Sequence, residues 1–164
     1  PTATRWIAQR PEHVVTYISR STGEIASNAG KRHMADEILG GYRLARNMMT
    51  GQTSQVFEVV EVSSHRHFAM KILLPEHSGN PQHRKMLFHE ANVGLKLAHP
   101  NIIRIVTVNK SDKTPYFVME FFPGGSLKAR LIAKQNQFLK ENAHSIFRQA
   151  ATALAFMNAQ DWVH

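Results

Sequence analysis

The 164-residue chain contains no cysteine. That absence excludes disulfides and thiolate metal sites and suits a reducing compartment, so a cytoplasmic location is expected. No run approaches the roughly 18 apolar residues that a membrane helix requires, and the first residues lack the basic, apolar, small-residue order of a secretory signal. Neither a membrane span nor a leader is therefore expected in this segment. Long Lys/Arg runs are also missing. Positive charge is in excess, 20 Lys and Arg against 12 Asp and Glu, but it is scattered singly, without the basic stripe interleaved with aromatics that marks a nucleic-acid surface. No nucleic-acid partner is expected. Most of the excess falls in residues 42–164, with 15 basic against 8 acidic side chains, and it favours an anionic ligand. An apolar content of 43% suits one ordinary domain, or a small domain with an extension.

Residues 1–41 are mixed and polar, broken by "RSTGE" and "SNAGK", with "HVVTYIS" their one strand candidate. They read as an extension or linker. Three short-linked strands follow at "YRLARNMM", "SQVFEVVEV" and "HFAMKILL", an arrangement that suggests an antiparallel meander. Prolines 75 and 81 break the pattern, after which "QHRKMLFHEANVGLKL" sets Leu87, Ala91 and Leu95 at spacings of four, the mark of an amphipathic helix. "HPNI" ends that helix, and "IIRIVTV" and "PYFVMEFF" read as two further strands. From Ser126, a possible N-cap, the period becomes helical. A long helix is expected from Glu141 to Gln160, with Ala143, Ile146, Phe147, Ala150, Ala151, Leu154 and Met157 on one stripe.

Within "FAMKIL" the lysine at 71 interrupts an apolar strand. A buried ammonium needs an anion or loses its proton. Glu90, three after Leu87 and one before Ala91, lies on or beside the apolar stripe of the helix and is the natural partner. The plainer alternative is a solvated helical glutamate. In "MTGQTSQVF" a glycine at a hairpin tip allows backbone N–H groups to approach a phosphate, although one such glycine is ordinarily a turn residue that supplies positive φ. His77, His83 and His89 recur every six residues, a spacing that does not stack on one helix face, and no nearby carboxylate completes a tetrahedral set. No metal site is expected from them. His99 reads instead as a hydrogen-bonding residue that fixes the "HPNI" turn.

In order and spacing, "MTGQTSQV", "FAMK", Glu90, "HPNI" and "VMEFFPGGSL" resemble the eukaryotic-like serine/threonine protein kinase domain over residues 42–164. The resemblance implies an α+β fold: an N-lobe at 42–119 of a five-stranded antiparallel sheet with one helix, a hinge at 120–125, and the first helices of an α-helical C-lobe at 126–164. It implies ATP and Mg²⁺ as cofactors, a protein substrate, and Lys71 with Glu90 as the catalytic pair, Lys71 on the α and β phosphates and Glu90 holding it. The nucleotide-binding set it implies is Met48, Gly51, Ser54 and Val56 from the loop, Ala69 and Lys71 from the third strand, Met119 as gatekeeper, the backbone of Glu120 and Phe122 against adenine, and Ser126 near the ribose. "VH" at the end is similar to the start of the family's catalytic loop. The arginine, the catalytic aspartate and the metal-binding groups are accordingly expected beyond His164, and residues 1–164 alone are expected to be inactive and to associate through the long helix.

The loop departs from the family pattern, because Met49 and Ser54 stand at its first and third glycine positions. The sequence also puts Gly94 four residues after Glu90, where the family places an apolar side chain. A helical glycine costs about 1 kcal/mol relative to alanine, so a loosened helix is expected. Two functional readings follow: a kinase that transfers the γ-phosphoryl group to protein hydroxyls, or a pseudokinase that binds nucleotide or scaffolds partners. Intact Lys71 and Glu90 favour the first.

Overall fold

The computed structural model describes residues 37–111 and 113–162; the strand candidate at 13–19 lies outside them. The described residues form two compact units, 37–121 and 122–162. The first contains β1 (Ile38–Leu39), β2 (Tyr42–Thr50), β3 (Ser54–Glu61), β4 (His67–Leu73), α1 (Pro75–Ser78), α2 (Pro81–Lys96), β5 (Ile105–Asn109) and β6 (Tyr116–Glu120). All strand pairings are antiparallel, in the order β1-β2-β3-β4-β6-β5.

The sheet has six strands where the sequence pattern gives five. The added strand, β1, is two residues long and too short to show a period. It pairs Leu39 with Tyr42 across Gly40 and Gly41, whose φ angles of 57° and 86° are those a two-residue hairpin of matching twist demands. A Cβ on Gly40 would collide with the Tyr116 hydroxyl, so this glycine serves both the turn and the packing. The segment from Pro75 to Pro81 is likewise not simply a break, since Pro75 starts the single turn α1. The fourth predicted strand, β5 in the structure, begins at Ile105, because Ile102 is still held in the preceding turn by its N–H bond to the His99 carbonyl (3.0 Å).

Alternation divides the sheet into two apolar faces. Phe57, Val59, Phe68, Met70, Ile72 and Val118 join Tyr42, Leu44 and Tyr116 in one buried cluster. On the other face Val56, Ala69, Leu73, Phe117 and Met119 pack with Leu87 and Ala91 of α2. Strands buried on both faces read as near-continuous apolar runs, which is the character of "FAMKIL".

Pro81 opens α2, and the Asn80 side chain accepts the N–H groups of Gln82 (2.9 Å) and His83 (3.2 Å), the usual N-terminal arrangement. Leu87 and Ala91 are buried as the spacing predicts, but Leu95 is 51% exposed. Each four-residue step overshoots a full turn by about 40°, and the second step carries Leu95 off the sheet.

Gly94 has an effect opposite to loosening. A Cβ there would sit 2.5 Å from Ile105 Cγ1 and 3.2 Å from Cδ1, so the missing side chain lets α2 close against β5. Gly94→Ala should gain about 1 kcal/mol of helix propensity and lose about 1–3 kcal/mol to overpacking. The expected net result is a lower urea midpoint. In an Ile105→Ala background the same substitution should become stabilising, and failure of the sign to reverse would refute this close packing.

The second unit holds α3 (Leu127–Ile132) and α4 (Asn136–Asn158). Ser126 Oγ accepts the Ala129 N–H (3.1 Å) and caps α3. Arg130 lies 3.9 Å over the Phe138 ring and donates to the Gly124 carbonyl and to Gln135 Oε1, each at 3.1 Å, which ties the two helices at their junction. The long helix starts five residues earlier than its apolar stripe suggests, since "NQFLK" is composed largely of residues compatible with helix. Its covered line is also narrower: Ile146 is buried, whereas Phe147 (75%) and Leu154 (47%) are exposed.

Candidate functional site

The site is built from side-chain rows across the sheet. Register pairs Val56 with Lys71 and Lys71 with Phe117, so these three form one row on one face. The adjacent row is Glu58, Ala69, Met119 and Ile105. Lys71 thus stands among apolar neighbours on the face that α2 covers, and Glu90 comes down from α2 one residue before buried Ala91.

Lys71 Nζ lies 2.9 Å from Glu90 Oε1 and 2.6 Å from Oε2. The lysine side chain is only 14% exposed, the glutamate 42%. A charge-assisted pair of this length fixes the ammonium where the apolar strand would otherwise disfavour it. It leaves a cation anchored between strand and helix, facing the same side as an apolar wall.

That wall is Val56, Ala69 and Met119, all buried and in one cluster. Its outer edge is polar. Glu58 receives Arg46 through Nε (3.1 Å) and Nη2 (2.8 Å) on one oxygen and meets His67 Nδ1 at 2.8 Å on the other. Phe121 lies over the His67 ring at a centroid distance of 6.2 Å. Partial burial raises the pKa of Glu58, but the hydrogen bonds from His67 and Arg46 outweigh it and hold the carboxyl below its ordinary 4.5. A carboxylate with a depressed folded-state pKa stabilises the fold above its unfolded value and loses that contribution as pH falls through the folded one. Acid should therefore weaken the protein progressively below pH 4.5, by at most about 1 kcal/mol from this group because its partners are exposed. Urea titrations at pH 7 and pH 3.5 should show a smaller pH effect in Glu58→Gln.

The β2–β3 loop is closed tightly. Thr50 pairs with Gln55, and the Gly51 N–H donates to the Ser54 carbonyl at 2.8 Å. Gly51 is not among the positive-φ glycines of the described residues, which are Gly40, Gly41 and Gly125. What its lack of a side chain supplies is space, since a Cβ would stand 3.3 Å from that same carbonyl. Met48 falls at a register shift between Asn47 and Met49 and is 43% exposed, whereas Met49 pairs with Val56. Ser54 is the first residue of β3, opposite Leu73.

The structure thus gathers Gly51, Ser54, Val56, Ala69, Lys71, Glu90 and Met119 around one sheet face, with Met48 and Met49 on the neighbouring strand β2. Glu120 ends β6, where its N–H donates to the Arg104 carbonyl (3.0 Å) and its carboxylate meets Arg104 Nε (3.4 Å). Phe122 and Ser126 belong to the second unit, where Ser126 is the cap of α3. The sequence pattern misses two residues that shape the site. Phe117 has only its place in an apolar run to announce it. His77, whose Nε2 lies 3.1 Å from the Gln52 carbonyl, carries no signal at all, since its partner is a backbone atom 25 residues away.

Residues 42–164 match the family model described as "Protein kinase domain". Among curated relatives, the chain is 30% identical over 144 residues to CBL-interacting protein kinase 19 of Oryza sativa subsp. japonica, covering 88% of this chain and 28% of that protein. It is 29% identical over 129 residues to maternal embryonic leucine zipper kinase of Xenopus laevis, covering 79% and 19%. Over 125 residues it is 29% identical to serine/threonine-protein kinase PknD of Mycobacterium tuberculosis, covering 76% and 19%. The chain therefore spans less than a third of the length of these relatives.

Proposed function

Because the chain belongs to the protein kinase domain family, we propose that the protein transfers the γ-phosphoryl group of ATP to serine and threonine hydroxyls of other proteins. The Lys71–Glu90 pair, set beside an apolar wall on one sheet face, is the observation that carries this reading. The bacterial relative, a serine/threonine-protein kinase by name, supports the substrate class, and the plant and animal relatives are likewise kinases. The division into a nucleotide-holding lobe at 42–119, a hinge at 120–125 and the start of a helical lobe from 126 belongs to the same proposal.

The residues present fit a purine nucleotide. Val56, Ala69 and Met119 offer a flat apolar surface for a base, and the ammonium of Lys71 offers a fixed cation for phosphate oxygens. When bound, ATP with Mg²⁺ supplies the group to be transferred and the metal charge that offsets it. The chain's own contribution is placement. Glu90 holds and aims the Lys71 ammonium, and the sheet keeps it in place without reorganisation at the moment of reaction.

The test is to supply the full-length protein with Mg²⁺ and γ-labelled ATP together with a basic protein substrate, and to identify the labelled amino acids. Phosphoserine or phosphothreonine that disappears in Lys71→Met is the expected result. ATP binding without any transfer would overturn the enzymatic part and leave a nucleotide-binding regulator.

A further inference from the structure

We propose that His77 is a positioning residue whose ring N–H straps the tip of the β2–β3 loop to α1, beside His83 at the start of the helix that carries Glu90. The ladder between β3 and β4 runs one step past its last strand pair, with the Leu74 N–H donating to the Thr53 carbonyl at 2.9 Å. It cannot continue, because Pro75 has no N–H. At that point a side chain takes over: His77 Nε2 lies 3.1 Å from the carbonyl of Gln52, the exposed residue at the loop tip. Since the carbonyl has no N–H, the ring nitrogen is the donor.

The Gln52 carbonyl belongs to an exposed residue and has water as an alternative partner, so this bond is not needed to satisfy a buried group. Its effect is orientational. The ring that makes it is itself set by an edge-to-face contact with His83, 4.5 Å between centroids at 90°. His83 Nδ1 is buried and makes no hydrogen bond, so this contact is one of ring packing. His83 stands in the first turn of α2, its N–H capped by Asn80. Glu90 follows seven residues later, two turns along the same side of the helix. One helix face thus touches the loop tip at its start, through two rings, and Lys71 further along.

The consequence rests on the proposed nucleotide role of the loop. With methionine and serine at two of the three positions where the family carries glycine, the loop backbone has lost part of its freedom to settle onto a phosphate. The strap holds the tip in one place, so the ordering cost is met before ligand arrives. Breaking it should weaken nucleotide binding and raise the KM for ATP while leaving kcat nearly unchanged. A neutral hydrogen bond that contributes about 0.7–1.4 kcal/mol net corresponds to a loss of about three- to tenfold in affinity.

Two variants of the full-length protein separate the hydrogen bond from ring packing. His77→Phe retains an aromatic edge for His83 but no donor, and His77→Gln retains a donor without the ring. Mg-ATP titration should show His77→Phe about three- to tenfold weaker than wild type and His77→Gln within about twofold of it. Equal binding by wild type and His77→Phe, or equal weakness of the two variants, would overturn the strap. Amide exchange of Gly51 and Leu74 in nucleotide-free protein tests the same bond independently. Faster exchange in His77→Phe than in His77→Gln supports the strap, and unchanged exchange overturns it. If wild type fails to bind ATP, the functional reading falls while the exchange result still decides the strap.

Discussion

Lys71→Met should reduce phosphoryl transfer by the full-length protein by at least about 10²–10³-fold, the cost of removing one preorganised charge partner from a reacting group. The fold should stay within about 1 kcal/mol of wild type, because an unbranched apolar side chain of similar length replaces a lysine that is 14% exposed and sits between Val56 and Phe117. Glu90 then loses this contact, but at 42% exposure its carboxylate remains in contact with water. Glu90→Ala is not the mirror image. It strips the carboxylate from the more enclosed member of the pair, and removing one partner of a covered ion pair costs more than replacing the enclosed charge with an apolar group. The expected pattern is therefore large activity losses in both variants with a measurable drop in melting temperature only in Glu90→Ala. Equal melting temperatures and unchanged transfer in Lys71→Met would sink the assignment of Lys71.

Much of this site is legible in the sequence because its parts obey short-range rules. Lys71 is conspicuous as the one charge in an apolar strand, and Glu90 lies at helical spacing from Leu87 and beside Ala91, so the pair follows from burial cost and periodicity. Val56, Ala69 and Met119 sit in strands whose alternation assigns them a face, although that they share it depends on register, which composition does not reveal. What stays hidden is what depends on a distant partner. Gly94 looks like a weakness until Ile105 is seen against it. Six-residue spacing separates His77 from His83 on any single helix, yet their rings meet because they lie on two helices joined across Gly79 and Asn80. Strand β1 escapes detection for a different reason. Two residues cannot show a period, and its signal is confined to the Gly-Gly pair that turns it back onto Tyr42.

Phe117→Ala should be among the most damaging changes to the first unit. The side chain is 1% exposed and packs in the cluster that joins the sheet to α2. Loss of a buried phenylalanine costs about 3–5 kcal/mol, a large part of the roughly 5–15 kcal/mol that holds a domain folded. Phe57→Ala removes a ring equally enclosed, at 2% exposure, from the opposite face, and it should cost a similar amount in urea unfolding. The two differ in what else they disturb. Phe117 is the register partner of Lys71, so a cavity there lets α2 and its Glu90 settle toward the sheet and misaligns the Lys71 ammonium. At a temperature low enough for both variants to remain folded, Phe117→Ala should bind Mg-ATP more weakly than Phe57→Ala, by about tenfold for each 1.4 kcal/mol of lost alignment. Phe117→Leu, which refills most of the volume, should recover both properties in parallel. Equal binding by the two alanine variants would show that the ring behind Lys71 supports the fold alone and that the strand holds the lysine without it.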